Sequence, residues 1–105
     1  MLTVLTTVDS AQAASALARG AVEARLAACV QISGPVTSVY RWEDALETSE
    51  ERQVLFKTTT TAAYPALEAR LTEGRPYDTP EIIATPVVRG SADYPAWVAA
   101  EVTAR

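Results

Sequence analysis

LAACVQISGPVTSVYRWEDALETSEERQVLFKTTT, residues 26–60, holds two extended runs joined by an acidic segment. Its opening alternates: Ala28, Val30 and Ile32 fall on one side of an extended chain, Cys29, Gln31 and Ser33 on the other. Gly34-Pro35 interrupts the run, and a bulge or bend there suits both residues. VTSVYRW resumes extended structure as far as Trp42, EDALETSEE reads as a polar, acidic turn, and RQVLFKTTT returns as a second strand. Residues 28–60 therefore make one long β-hairpin. A strand of ~15 residues spans roughly 50 Å at ~3.3 Å per residue. A chain of 105 residues folds to a radius of gyration of only ~13 Å. The far end of the hairpin, with Tyr40 and Trp42, must project, and exposed edges and aromatics of that kind meet another subunit. Hairpin length by itself argues for an oligomer.

Working outward, LTVLTTV (residues 2–8) is rich in β-branched residues, with Leu2, Val4, Thr6 and Val8 on one face. Asp9 offers an N-cap with Gln12 three residues on, and Ala14, Leu17, Ala18, Ala21 and Val22 recur at helical spacing, so an amphipathic helix is expected from Ser10 to Arg25. Thr60 or Thr61 caps a second helix, with Pro65 tolerated in its first turn, an apolar stripe of Ala63, Leu67 and Leu71, and Gly74 as its stop. IIATPVV (residues 82–88) is a strand that Pro86 marks as an edge or a bulged position. Asp93 caps a short C-terminal helix, with Trp97 and Val98 on its apolar side. The order β-α-β-β-α-β plus a terminal helix is the α+β ferredoxin-like arrangement, one domain over residues 1–105 with an antiparallel sheet.

Composition narrows the function. Apolar residues make up 49% and charged residues 21%, which suits a packed globule. The net charge of -4 repels phosphate backbones, and a sheet with a single phenylalanine lacks the stacking platform of an RNA-binding face, so no nucleic-acid partner is expected. One cysteine excludes an intrachain disulfide, and the absence of histidine removes the Ser/His/Asp and Cys/His arrangements along with the commonest neutral metal ligand. MLTVLTTVDS carries no basic leader and no run approaches the ~20 apolar residues of a membrane helix, so the expectation is a cytoplasmic protein with no membrane partner.

At LAACVQISGPVTSVYRWED the chain comes to resemble the CutA divalent-cation tolerance proteins. The Gly-Pro, the Ser-x-Tyr-x-Trp, the strand-ending VLFKT, RPYDTPEI (residues 75–82) and the terminal DYPAWV carry the likeness, which runs from Thr3 to Val98. The resemblance implies a homotrimer whose hairpins wrap across neighbouring subunits, a link to tolerance of copper and other divalent cations, and no enzymatic activity. It also implies an architecture similar to the PII signalling trimers, which bind small effectors between subunits. Copper-binding members carry a cysteine in the first strand and a histidine before the Pro-Tyr; Thr6 and Arg75 stand at those positions here. A hydroxyl and a guanidinium do not replace a thiolate and an imidazole.

The candidate ligand residues of a cleft are Cys29, Lys57, Arg75, Tyr77, Asp78 and Glu81, and the candidate trimer-interface residues are Tyr40, Trp42 and Trp97. No residue is assigned a catalytic role. No metal set is assigned either; Cys29 is the single soft donor, and a divalent cation, copper, enters only through the resemblance. Asp78 and Glu81 supply too few oxygens for a hard cation by themselves. Lys57, among Val54, Leu55 and Phe56, calls for a carboxylate partner, with Glu81 the candidate; Glu81 in turn suits an arginine or lysine across the subunit interface, and Lys57 with Arg75 would suit a small anion. The reading is a self-assembling protein that binds a metal ion or a small anion.

Overall fold

The computed structural model describes residues 1–73 and 79–102, in the order β1 (Leu2–Val8), α1 (Ala11–Glu23), β2 (Cys29–Trp42), β3 (Ala45–Thr58), α2 (Ala63–Thr72), β4 (Ile82–Pro86) and α3 (Asp93–Glu101). The four strands form one antiparallel sheet in the order β2-β3-β1-β4. This is the ferredoxin-like topology expected, with β4 at an edge, where Pro86 is tolerated.

α1 starts one residue later than the capping-box reading places it. Ser10, not Asp9, is the N-cap; its hydroxyl accepts the backbone N–H of Ala13 at 3.1 Å. The helix ends in a Schellman motif: Arg25, at φ 58°, donates its N–H to the Val22 carbonyl and Leu26 donates to Ala21. Ala14 and Ala21 are buried and let α1 lie close on the sheet, whereas Val22 turns outward. In α2, Ala62 holds the cap position and the Thr61 hydroxyl accepts the Ala63 N–H at 3.4 Å. Gly74, the expected stop, lies outside the described residues. In α3 the cap falls on Ala92, with Asp93 as the first helical residue and the Ser91 hydroxyl accepting the Tyr94 N–H at 3.4 Å.

Helices α1 and α2 cover one face of the sheet. Val4 and Val8 of β1, Val54 and Phe56 of β3, Ala14 and Ala21 of α1, and Leu67 and Leu71 of α2 form the main core. A smaller core of Ala63, Val98 and Val102, with Met1 and Ala28, ties α3 to one end of the sheet. Two buried threonines are hydrogen-bonded within the fold: Thr58 donates to the Leu26 carbonyl and Thr6 to the Glu81 carbonyl, each at 2.6 Å.

The hairpin is longer and tighter than a nine-residue acidic turn allows. Only Glu43 and Asp44 form the turn, and β3 begins at Ala45, paired with Trp42. Glu47, Glu50 and Glu51 therefore stand on a strand, because pairing satisfies backbone groups that a loop would leave to water. The 14 residues of β2 span ~46 Å at ~3.3 Å each, which matches the 45 Å long dimension of the molecule. The radius of gyration, 14.4 Å, exceeds the ~13 Å of a compact chain this long; the hairpin arm accounts for the excess.

Glu43 and Asp44 sit at φ 49° and 64°, as a two-residue type I′ turn requires. That region favours Asn and Gly over Glu. Changing the pair to Asn-Gly is expected to raise folding stability by about 1 kcal/mol. A chemical-denaturation midpoint at fixed protein concentration reads it, and an unchanged or lower midpoint would contradict the turn geometry.

Candidate functional site

Strand alternation divides the sheet into a helix-covered face and an uncovered one. On the uncovered side lie Thr3 and Leu5 of β1, Gln53, Leu55 and Lys57 of β3, Cys29, Gln31 and Ser33 of β2, and Ile83 and Thr85 of β4. Leu5 and Leu55 are half-buried, and Ile83 is 52% exposed. A row of aliphatics left to water across a sheet centre is the kind of surface that marks an interface.

A bulge extends this face along the arm. Ser33 pairs with Gln53 and Val36 with Glu51, so three steps along β2 oppose two along β3. The extra residue reverses the parity of β2. Beyond it the even-numbered Val36, Tyr40 and Trp42 join the side of Cys29, Leu5 and Leu55. Gly34 makes the bulge at φ 129°, where an added Cβ would stand 3.0 Å from the Glu51 carbonyl oxygen; only glycine fits there without strain. The Gly34–Pro35 peptide is cis. Tyr40 and Trp42 remain 43% and 45% exposed.

The remaining candidates separate into two groups at opposite ends of the uncovered face. At one end, Lys57 pairs across β2 with Cys29 and across β1 with Thr3. The Lys57 Nζ lies 5.4 Å from the ring centroid of Tyr94, a cation–π contact. Tyr94 in turn packs on Trp97, centroids 5.6 Å apart, and Trp97 is 45% exposed. Tyr94 is not among the candidates that the sequence offers. Its position one turn before the buried Val98, on the flank that carries Trp97, is the available signal.

At the other end stands Glu81. Ile82 pairs with Thr6, so Glu81 lies beside Thr7, while Lys57 is opposite Thr3. Four residues of β1 separate them, ~13 Å at ~3.3 Å per residue. The expected pairing of Lys57 with Glu81 is thus excluded within one chain by the register. Among the described residues Lys57 has no carboxylate partner; the ion pair present joins Arg25 to Glu101 at 3.6 Å, on the surface. Glu81 itself is exposed, with its carbonyl anchored by Thr6. Arg75, Tyr77 and Asp78 lie outside the described residues.

Metal-binding chemistry is thinly provided. Among the described residues no three of His, Cys, Asp and Glu come together. Thr6, at the position where the resemblance places a copper-ligating cysteine, is buried under the helices and hydrogen-bonded to Glu81. Cys29 is half-buried on the uncovered face, remote from Thr6 by the alternation of the sheet. A perturbed ionisable group lies elsewhere. The Tyr64 phenol is raised above its ordinary value by partial burial first, then by donating to the Glu68 carboxylate at 3.2 Å and by its charge. Among the described residues no helix is long and apolar enough to cross a membrane.

Comparison with known proteins places this arrangement. The family model described as CutA1 divalent ion tolerance protein matches residues 2–101. The Divalent-cation tolerance protein CutA of Thermus thermophilus is 43% identical over 95 residues, covering 90% of this chain and 91% of the relative. The solved structure of a divalent cation tolerance protein (Cut A1) from Thermus thermophilus superposes with a TM-score of 0.92 at 40% identity, covering 98% of this chain and all of that one (100%). A structure described as the PII-like protein CutA from Nostoc in apo form gives 0.88 at 27% identity, with 100% of both chains covered. With residues 2–101 matched and these identities, the chain belongs to the CutA1 divalent ion tolerance protein family.

Proposed function

We propose that this chain is a homotrimer that serves tolerance of divalent cations, copper among them, and that it acts by binding rather than by catalysis. The observation that carries this reading is the uncovered sheet face with Leu5, Leu55 and Ile83, continuous through the bulge with Tyr40 and Trp42 on the projecting arm. An apolar face of that extent, ending in aromatic anchors, suits association with further copies of the chain. The cation role rests on the names of its relatives. That it acts by binding rests likewise on those names, which describe tolerance and no reaction.

The cation site differs from a thiolate–imidazole centre. Carboxylates and a lone Cys29 hold copper weakly. Calorimetric titration of tag-free protein with Cu²⁺ is expected to give saturable heat with a Kd weaker than about 1 µM. A flat trace to millimolar Cu²⁺ would sink the cation reading. Sub-micromolar binding abolished in Cys29→Ser would show instead a soft site centred on that thiol.

A second reading is favoured by Lys57, a half-buried cation without a carboxylate partner among the described residues. It is a PII-like signalling trimer that binds a small anion between subunits, with Lys57 and Arg75 as the cations. The likeness to the PII-like CutA of Nostoc supports it. A thermal-shift screen of nucleotides and small carboxylates separates it from the first reading. A shift lost in Lys57→Met would favour it.

A further inference from the structure

We infer that on assembly the basic end of one copy's uncovered face meets the acidic end of the next copy's, so that Lys57 of one copy pairs with Glu81 of the next. This rests on the homotrimer reading and adds the contact that sets how the copies register.

The face is laid out as acid, apolar band, base. Glu81 precedes Ile82, whose side chain packs on the main core, so alternation assigns Glu81 to the uncovered side with Ile83. Leu5, Leu55 and Ile83 fill the middle, and Lys57 closes the far end beside Cys29 and Thr3. The register holds the two charges at least four strand residues apart, so neither can neutralise the other within one chain.

The basic end of such a face is matched in charge by the acidic end of another copy's. In a cyclic trimer each subunit presents two different patches, one to each neighbour, and the basic and acidic ends of this face are two such patches of opposite charge. Covering the apolar band takes Lys57 further out of water. A buried ammonium without a counter-charge is strongly unfavourable, and the Tyr94 ring offers only partial compensation. Glu81 is suited to supply the charge. Its backbone is pinned by the hydroxyl of the buried Thr6, which fixes where the exposed carboxylate starts. Among the described residues, Glu47 and Glu51, the strand acids that share this parity, lie out on the arm, and Glu101 is engaged with Arg25.

The test is a charge swap on the tag-free full chain, read by sedimentation equilibrium over a concentration series, with far-ultraviolet circular dichroism as the folding control. Lys57→Glu and Glu81→Lys are each expected to raise the concentration at which the chain assembles by about tenfold or more. The double variant is expected to return to within about threefold of the parent. Lys57→Glu with Glu51→Lys should stay weakened. Should a reversal unfold the chain, Lys57→Met with Glu81→Gln keeps the stems and removes both charges. It should then assemble better than Lys57→Met alone. A swap no better than the two single effects combined, or rescue by Glu51→Lys in place of Glu81→Lys, overturns the pairing while leaving the trimer standing. A parent chain that stays monomeric overturns the homotrimer reading itself, and the pairing with it.

Discussion

Phe56→Ala is expected to lower folding stability by about 3–5 kcal/mol. Phe56 is the chain's only phenylalanine, fully buried near the C-terminal end of β3, paired with Val4 on one side and Val30 on the other. The core around it is otherwise aliphatic and small, with Val4, Val54, Ala14, Ala21, Leu67 and Leu71. Valines and alanines on strands and helices cannot reach across the space that an aromatic ring leaves, so most of the cavity stays open. Urea denaturation reads the loss. Because association stabilises whatever associates, the comparison belongs in a background that cannot assemble. A loss below about 1 kcal/mol would show that the two helices collapse onto the sheet more freely than this packing allows.

Leu55→Asp supplies that background and is the second large effect. Leu55 follows Val54 and precedes Phe56, yet it points the other way, into the uncovered face opposite Leu5 and Gln31. It is partly exposed in the single chain and belongs to neither core cluster, so it costs the fold less than a core residue would. A carboxylate at the middle of an apolar interface carries a desolvation penalty with no partner, and such centre positions dominate association energies. The variant is expected to keep its far-ultraviolet circular dichroism and to lose assembly by at least about 2 kcal/mol, near thirtyfold. An unfolded variant would mean that the face is part of the chain's own core. A variant that assembles like the parent would mean that the apolar band is not where copies meet.

Much of this architecture is legible in the residues, for identifiable reasons. Alternation in LTVLTTV and in LAACVQIS sets strand faces, and the hairpin's length against the size of the chain requires a projecting arm. What stays hidden depends on backbone geometry. Ser10 rather than Asp9 caps α1, because adjacent acceptors look alike in sequence and the turn of the chain decides between them. Arg25 closes that helix in a conformation usually signalled by glycine. The acidic run after Trp42 reads as a loop, since nothing in EDALETSEE carries a strand pattern. Only pairing with β2 makes it one. The charge layout of the uncovered face needs the register of three strands. From sequence Lys57 and Glu81 are natural partners; the ladder puts them at opposite ends of the sheet.

Closure of that face by further copies of the chain is the claim on which the rest depends. Light scattering on tag-free protein eluting from size exclusion tests it most directly. The expected mass is about 34 kDa, three copies of the 11.2 kDa chain, persisting on dilution to low micromolar concentration. A particle of 11.2 kDa under the same conditions would contradict it.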